Sequence, residues 1–399
     1  MVSSIINIVH FHNGTGGGVL SVIRNLLLYK QHEHINNHVI YTINKDQLAA
    51  FEIPKLIGAA SEQVFYYSPK CNFYYTCSQL AKLLPDDKTI IVAHDWLELG
   101  MVSNLGLQNR VIHFLHGDYD YYYDLAKKNE AGVDAFVCVA DNIEQRLAIL
   151  LPQRLKDIQY LRFPVGYSKG IKKNSNGFNV VFVGRCTYDK GYPFLPFIAK
   201  SLVDKKMKVF WHIAGELKPA EREATQWPTD LSVTFYGNIP NESVQTLLCD
   251  MDVIVLPSFF EGMPINIIEA MKAGVVPVVN DLDGGLQELI IDGDTGIKIT
   301  GNRKEGFVDA LKGLADNLGK LSQISANARQ RANEMFDPVA NTVAIENLYE
   351  NVNNLLPKKK FALKVYGSKL DQKWLGNNIT YTVRNKFKRK DMLMKFPFK

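Results

Sequence analysis

The stretch DVIVLPSFFEGMPINIIEAMKAGVVPVVN, residues 252–280, decides the fold. It opens on a short, near-continuous apolar run rich in β-branched residues and closes on another. Such runs suit strands buried on both faces, as in parallel sheets. Between them lies a turn bearing Gly262 and Pro264, then the apolar-periodic INIIEAMKAG pattern of a helix. Pro264 suits the first helical turn, and Gly262 permits an unusual backbone angle before it. The segment therefore reads strand, loop, helix, strand.

The same alternation extends in both directions. In the first half the apolar runs are SIINIVHF (4–11), HVIYTI (38–43), TIIVAHD (89–95), VIHFLHG (111–117) and AFVCVA (135–140). In the second they are NVVFVGR (179–185), VFWHIAG (209–215), SVTFYGN (232–238), DVIVLPS (252–258) and VVPVVN (275–280). Alternating strands and helices in both halves predict an α/β chain of two doubly wound, Rossmann-like domains. A length of 399 residues agrees, because single cores stop growing at roughly 250–300 residues. The Gly-, Pro-, Lys- and Asn-rich segment FPVGYSKGIKKNSNG (163–177) is the expected linker. After residue 303 the pattern turns purely helical, through GFVDALKGLADNL, LSQISANARQRANEMF and PVANTVAIENLYENVNNLL.

Composition narrows the class. With 46% hydrophobic and 22% charged residues the chain is of ordinary globular make-up, without repeats or low-complexity tracts. No apolar run reaches the roughly 18–20 residues that span a bilayer. The opening MVSSIINIVHFHN lacks the basic start and cleavage site of a signal peptide and reads as a first strand. Five scattered cysteines, with no CxxC pair, fit buried thiols in a reducing compartment. The net charge of +5 conceals an asymmetry: residues 358–399 hold 13 Lys/Arg against 2 Asp/Glu, so the remaining chain is acidic.

Ligands of open parallel sheets bind at the carboxyl ends of the strands, so the residues that follow each strand carry the chemistry. After the first strand comes HFHNGTGGGVLSVIRNLL (10–27), where Gly16, Gly17 and Gly18 precede a helix N-terminus. Glycines there let a ligand approach the backbone, and helix N-termini favour anions. The spacing does not match the dinucleotide fingerprint, which disfavours a NAD-dependent dehydrogenase; a glycine turn that serves packing alone is the other reading. In VGRCTYDKG (183–191), Arg185 and Lys190 could converge on a diphosphate, or form a solvated basic loop. In the opening stretch seven residues separate Glu261 from Glu269. A carboxylate at the second position suits a pair of sugar hydroxyls, although such a spacing is common by itself.

Together these features resemble the retaining GT-B glycosyltransferases of the family-4 type. The likeness rests on FFEGMPINIIEAMKAGVVPVVNDLDGGLQELIIDGDTGIKI, on VGRCTYDKG and on the glycine-rich first loop, and spans roughly residues 1–356. It implies a GT-B fold, two Rossmann-like domains facing a central cleft. Residues 1–168 would form the acceptor-binding domain, joined by C-terminal helices 338–399, and residues 172–337 the donor-binding domain. It implies that Arg185 and Lys190 neutralise a donor diphosphate and that Glu269 binds ribose. Glu261 would contact the transferred sugar, helped by backbone from Gly262 through Met263, Pro264 and Ile265 to Asn266. Gly16, Gly17 and Gly18 would approach phosphate or acceptor, and His116, in HFLHGDYD, would lie near the reacting centre. Met263 and Asn266 depart from the commonest residues at their places. The loops GELKP (215–219) and YGNIP (236–240) are where the base would be met, and they do not encode a choice of UDP, GDP or ADP.

The resemblance implies retention of anomeric configuration with no enzymatic nucleophile and no essential metal or other cofactor. The D-x-D pairs Asp118/Asp120, Asp281/Asp283 and Asp292/Asp294 follow strands or sit in turns, where Asp is common anyway. A nucleotide-sugar epimerase or glycan synthase of the same fold, and a non-catalytic sugar-nucleotide-binding protein, remain open. The mixture of basic and aromatic residues in 358–399 predicts a segment attracted to an anionic membrane surface, hence a cytoplasmic, peripheral protein with a glycan or glycolipid acceptor. No nucleic-acid recognition motif accompanies the charge, so nucleic acid is not an expected partner.

Overall fold

The structure is a computed structural model that describes residues 2–11, 17–47, 53, 55–168, 170, 177–217, 225–229, 231–355 and 360–386. Gly16 and much of the 163–177 segment lie outside the described residues. The chain divides into two compact units, Met1–Pro164 with Pro338–Lys399, and Val165–Asp337.

The first unit is built on a seven-stranded sheet. Its strands are β1 (Ser4–Phe11), β2 (Asn36–Asn44), β3 (Ser61–Tyr67), β4 (Ile90–Ala93), β5 (Val111–Leu115), β6 (Ala135–Cys138) and β7 (Ile158–Tyr160). Their order is β3-β2-β1-β4-β5-β6-β7, and every pairing is parallel. The chain reverses its direction of travel across the sheet between β1 and β4, the crevice where such sheets bind ligands. β4, β5 and β6 are wholly buried, which is why they read as unbroken apolar runs.

The second unit has a six-stranded parallel sheet: β8 (Phe178–Val183), β9 (Val209–Ala214), β10 (Ser232–Gly237), β11 (Val253–Leu256), β12 (Val276–Asn280) and β13 (Ile297–Ile299). The order β10-β9-β8-β11-β12-β13 places its switch point between β8 and β11. Helix Ile265–Lys272 joins β11 to β12, as the opening stretch predicts. Buried Lys272 at its end donates to the carbonyls of Val165 and Phe336, at the two ends of this unit. Burial pulls its ammonium down to about 8, against the pull of Asp337 and Glu269.

The two folds are GT-B-type Rossmann-like units, each with its strand ends carrying the loops discussed above. Two details differ from expectation. Pro264 is the N-cap of its helix, with extended backbone, rather than a residue of the first turn. Gly262 does not have a positive φ. Its smallness-related partner is Gly285, where an added Cβ would lie 2.3 Å from the Gly262 carbonyl oxygen.

The basic C-terminal segment also differs from a simple interfacial tail. Among its described residues, Lys360 is buried with its Nζ 2.5 Å from the Asn109 carbonyl and 2.6 Å from Asp134 Oδ2. Arg384 is buried too, 2.6 Å from Asp371 Oδ2 and 2.6 Å from the Cys71 carbonyl. Asp371 in turn accepts the Phe73 N–H at 2.7 Å. The segment lies as a strap over helix Trp96–Leu105, where Gly100 leaves room for the Phe73 and Tyr366 rings. That cover explains a helix buried on every face.

Candidate active site

In the second unit, three strand ends are drawn together by close backbone approaches. The loop after β8 packs on the loop after β9, because a Cβ at Gly215 would meet the Gly184 carbonyl oxygen at 1.8 Å. Gly191 has φ +69, and a Cβ there would lie 2.0 Å from the Pro257 carbonyl oxygen beyond β11. Only glycine satisfies both constraints. The Phe259 N–H donates to the Asp189 carbonyl at 3.0 Å, and the Phe259 and Tyr188 rings stack at 5.1 Å. Asn266, in the first turn of the helix, donates through Nδ2 to the Val183 carbonyl at 2.6 Å and so holds that helix end against β8.

This packing sets Lys190 Nζ 2.6 Å from Glu261 Oε1, with both side chains largely buried. The sequence names both residues, and the fold makes them partners. Arg185 is different: it is mostly exposed and its Nη2 lies 3.0 Å from Asp189 Oδ2. The expected convergence of Arg185 with Lys190 is therefore not the pairing seen; each cation has its own carboxylate. Glu269 is buried and accepts a hydrogen bond from Asn241 Nδ2 at 2.9 Å. Gly262, Met263 and Pro264 are buried, while Ile265 and Asn266 are half-buried. In this first turn the Ile267 N–H is taken by Asn266 Oδ1 at 3.0 Å and the Pro264 carbonyl at 3.2 Å. That leaves the N–H groups of Ile265 and Asn266, with no preceding helical carbonyl to bond, for an anion or a polyol.

Three residues at this edge went unread in the sequence. Thr187 Oγ1, Ser258 Oγ and Asn280 Oδ1 are buried without a hydrogen-bond partner, although Asn280 Nδ2 donates to the Ser258 carbonyl at 2.9 Å. Such atoms are unusual in a folded interior. Their signal was available: each follows or ends an apolar strand.

In the first unit, His116 follows β5 and His94 follows β4. His116 Nε2 and His94 Nδ1 are 2.9 Å apart, and His94 Nε2 is 3.1 Å from Asn7 Oδ1 on β1. Burial pushes the His116 imidazole down to about 3, with a further contribution from His113. His94 is depressed well below its ordinary value by burial and by its two histidine neighbours. Both rings are therefore neutral at pH 7. Near them Asp95 and Glu98 form a capping box on helix Trp96–Leu105, and Tyr121 Oη donates to Asp95. Burial and Asp95 hold the Glu98 carboxyl well above the usual carboxylate range. His94 and Asn7 were missed, His94 because one histidine at a strand end carries little signal alone.

Gly17 opens helix Gly17–Leu28 with φ +55, and Gly18 follows it in the first turn, both exposed. A Cβ at Gly17 would meet nothing within 4 Å, so backbone conformation, not packing, asks for glycine there.

Each D-x-D pair is engaged with protein. Arg146 bridges Asp118 and Asp120, Gln287 donates to Asp281, the Lys298 N–H donates to Asp292, and Asn327 donates to Asp294. Among the described residues no group of three or more His, Cys, Asp or Glu side chains is arranged to hold a metal, and no helix is long and apolar enough to cross a membrane.

Comparison with known proteins agrees with this geometry. Residues 167–331, nearly the whole second unit, match the family of glycosyl transferases group 1. An uncharacterised 41.2 kDa protein in the cps region of Klebsiella pneumoniae is 30% identical over 139 residues, 34% of each chain. A UDP-Gal:alpha-D-GlcNAc-diphosphoundecaprenol alpha-1,3-galactosyltransferase of Escherichia coli is 28% identical over 190 residues, 45% of this chain and 46% of that protein. The chain thus spans a third to a half of the length of these two relatives. The crystal structure of Anabaena Alr3699/HepE in complex with UDP-glucose superposes with a TM-score of 0.70 at 15% identity, covering 87% of this chain and 99% of that one. At that identity the likeness establishes the GT-B fold.

Proposed function

We propose that this chain is a retaining glycosyltransferase that moves a hexose or N-acetylhexosamine from a nucleotide-diphosphate sugar to a hydroxyl of a glycan acceptor. The observation that carries this reading is the buried Lys190–Glu261 pair beside the open first turn of helix Ile265–Lys272, at the switch point of the second sheet. In it a cation and N–H groups stand ready for a diphosphate, and a carboxylate stands ready for sugar hydroxyls. Lys190 and the helix N-terminus would stabilise charge on the departing diphosphate, joined by Arg185 once it leaves Asp189. Glu269, held by Asn241, would take the ribose hydroxyls. Catalysis then rests on charge stabilisation and positioning rather than on an enzymatic nucleophile, without an essential metal.

The acceptor proposed is lipid-linked, within cell-surface polysaccharide or lipopolysaccharide synthesis. The names of the relatives support this: one comes from a cps region, and another carries a diphosphoundecaprenol-linked acceptor in its description. We further assign the protein to the anionic inner face of the membrane. Trp374 is 81% exposed on the strap, which also exposes Phe361, Leu363 and Ile379 among its lysines. Aromatic and basic residues together favour the headgroup region.

The test is a thermal-shift screen of UDP-, GDP- and ADP-sugars, because a specific ligand stabilises only the native state. The hit is then assayed for transfer with and without EDTA, and the anomeric configuration of the product is read by NMR. Absence of any stabilising nucleotide sugar overturns the proposal. Equal flotation of the full chain and a Trp374→Ser variant on anionic vesicles overturns the role given to the strap.

A further inference from the structure

The imidazole chain of the first unit has a definite direction. Asn7 presents its carbonyl oxygen, Oδ1, to His94 Nε2 at 3.1 Å, and a carbonyl oxygen only accepts. His94 therefore carries its proton on Nε2. A neutral imidazole has one proton, so His94 Nδ1 is a lone pair and accepts from His116 Nε2 at 2.9 Å. His116 then has its proton on Nε2, and its Nδ1 is a lone pair with no partner among the described residues.

We infer that Asn7 and His94 are positioning residues that hold His116 as the neutral Nε2–H tautomer, with Nδ1 turned into an acceptor for a sugar hydroxyl. The choice of a hydroxyl as the ligand rests on the glycosyltransferase reading; the tautomer itself does not.

Three further facts support the assignment. An imidazolium at His94 would face His116 and His113 in a buried setting, and burial with those neighbours keeps it neutral. The His116 ring is fixed in place by Phe114, stacked at 5.9 Å, and by Tyr122, edge-on at 6.3 Å. His113 takes no part in the chain: its Nδ1 donates to the Ala93 carbonyl at 3.1 Å, and its Nε2 has no hydrogen-bond partner. An acceptor as weakly basic as His116 would orient a hydroxyl without removing its proton, which suits a site where the acceptor oxygen must be aimed.

The experiment is a ring-nitrogen correlation spectrum of the full chain, labelled with ¹⁵N-histidine, at pH 7. His94 and His116 are assigned through His94→Gln and His116→Gln. Protons on Nε2 of both rings are expected. A proton on His116 Nδ1 overturns the inference. In Asn7→Leu, loss of the single-tautomer signature at His116 is expected, and an unchanged signature overturns the role of Asn7. These readings use no substrate, so they stand apart from the fate of the glycosyltransferase reading. In a last arm methyl hexosides, as plain hydroxyl-bearing ligands, are added to saturation. A shift of the His116 Nδ1 resonance is expected, and an unmoved resonance overturns the acceptor role alone.

Discussion

The Lys190–Glu261 pair makes a prediction that is unusual for a binding site: removing a site residue tightens binding of one ligand. Lys190 Nζ is 2.6 Å from Glu261 Oε1. A phosphate oxygen reaching Nζ from the far side would lie about 5–6 Å from the carboxylate, given ordinary hydrogen-bond lengths. Two unit charges about 6 Å apart repel by roughly 3 kcal/mol at an effective dielectric of about 20. Lys190 keeps some exposure, so solvent and salt remove part of this. A net gain of about 1.5 kcal/mol, or roughly tenfold in Kd, is expected for a nucleoside diphosphate when Glu261→Gln deletes the charge and preserves the shape. Lys190→Met removes a charge-assisted bond, and about 1.5–3 kcal/mol of diphosphate affinity should go with it. The double variant should lie between parity with the parent chain and about tenfold weaker binding, because the two effects oppose and leave a net loss of about 0–1.5 kcal/mol. The assay is titration calorimetry with whichever of UDP, GDP or ADP binds the parent protein, at two ionic strengths. Glycosyl transfer should fall in both single variants, since Glu261→Gln also loses its sugar contact. If Glu261→Gln folds normally yet binds the diphosphate no more tightly, Glu261 does not face the anion held by Lys190, and the proposed donor geometry fails.

Gly191→Ala should cost at least about 2 kcal/mol, since it combines left-handed strain with the approach to Pro257, whereas Gly17→Ala should cost about 1 kcal/mol for strain alone. Urea titrations of the two variants check this. Burial holds His113 at about 4, so between pH 6.5 and 4 the unfolded chain binds the extra proton and stability falls as pH falls. His113→Leu should flatten that part of the stability–pH curve by up to about 3 kcal/mol. Glu98 works in the opposite direction, its stabilising protonation lost as pH rises above the unfolded carboxylate value. Asp371→Ala leaves Arg384 buried without its carboxylate and should cost about 3–5 kcal/mol, exposing the strap to limited proteolysis near residues 365–386.

What was legible in the sequence follows from what each strand must bury. The ten apolar runs all became strands, nine of them where continuous apolar character is required or nearly so. β3, β7 and β13 were not read, and each is at the edge of its sheet. β3 shows why: most of its SEQVFYY residues are only partly buried, so no unbroken run is demanded. Edge strand β10 was read because SVTFYG is rich in β-formers despite its exposure. In the site, pattern recognition named Lys190 and Glu261 but could not pair them across 71 residues. It assigned Arg185 to a shared anion, while the fold gives it Asp189 four residues away. In the C-terminal segment composition alone counts Lys360 and Arg384 as surface charge. Only packing reveals that Asp134 and Asp371 take them inside.

The two units use electrostatics in contrasting ways, and the contrast bears on the proposed chemistry. At the switch point of the second unit the polar side chains are charged, and they keep some exposure. A cation already paired with a carboxylate binds an incoming diphosphate less tightly than a bare one would. In exchange it is not left unpaired when the ligand departs, where an isolated buried ammonium would be strongly penalised. In the first unit the polar groups after β4 and β5 include two imidazoles, His94 and His116, kept neutral by burial. Neutral rings neither attract a phosphate nor repel a hydroxyl, and a chain of them has a single direction imposed by Asn7. A diphosphate leaving group needs the first kind of site, because its charge grows as the sugar departs. An acceptor hydroxyl needs the second, because its position matters more than its charge. On this argument acidification to pH 5 should leave His116 neutral and its hydrogen-bond direction intact. Any loss of transfer at that pH would then have to arise elsewhere in the molecule.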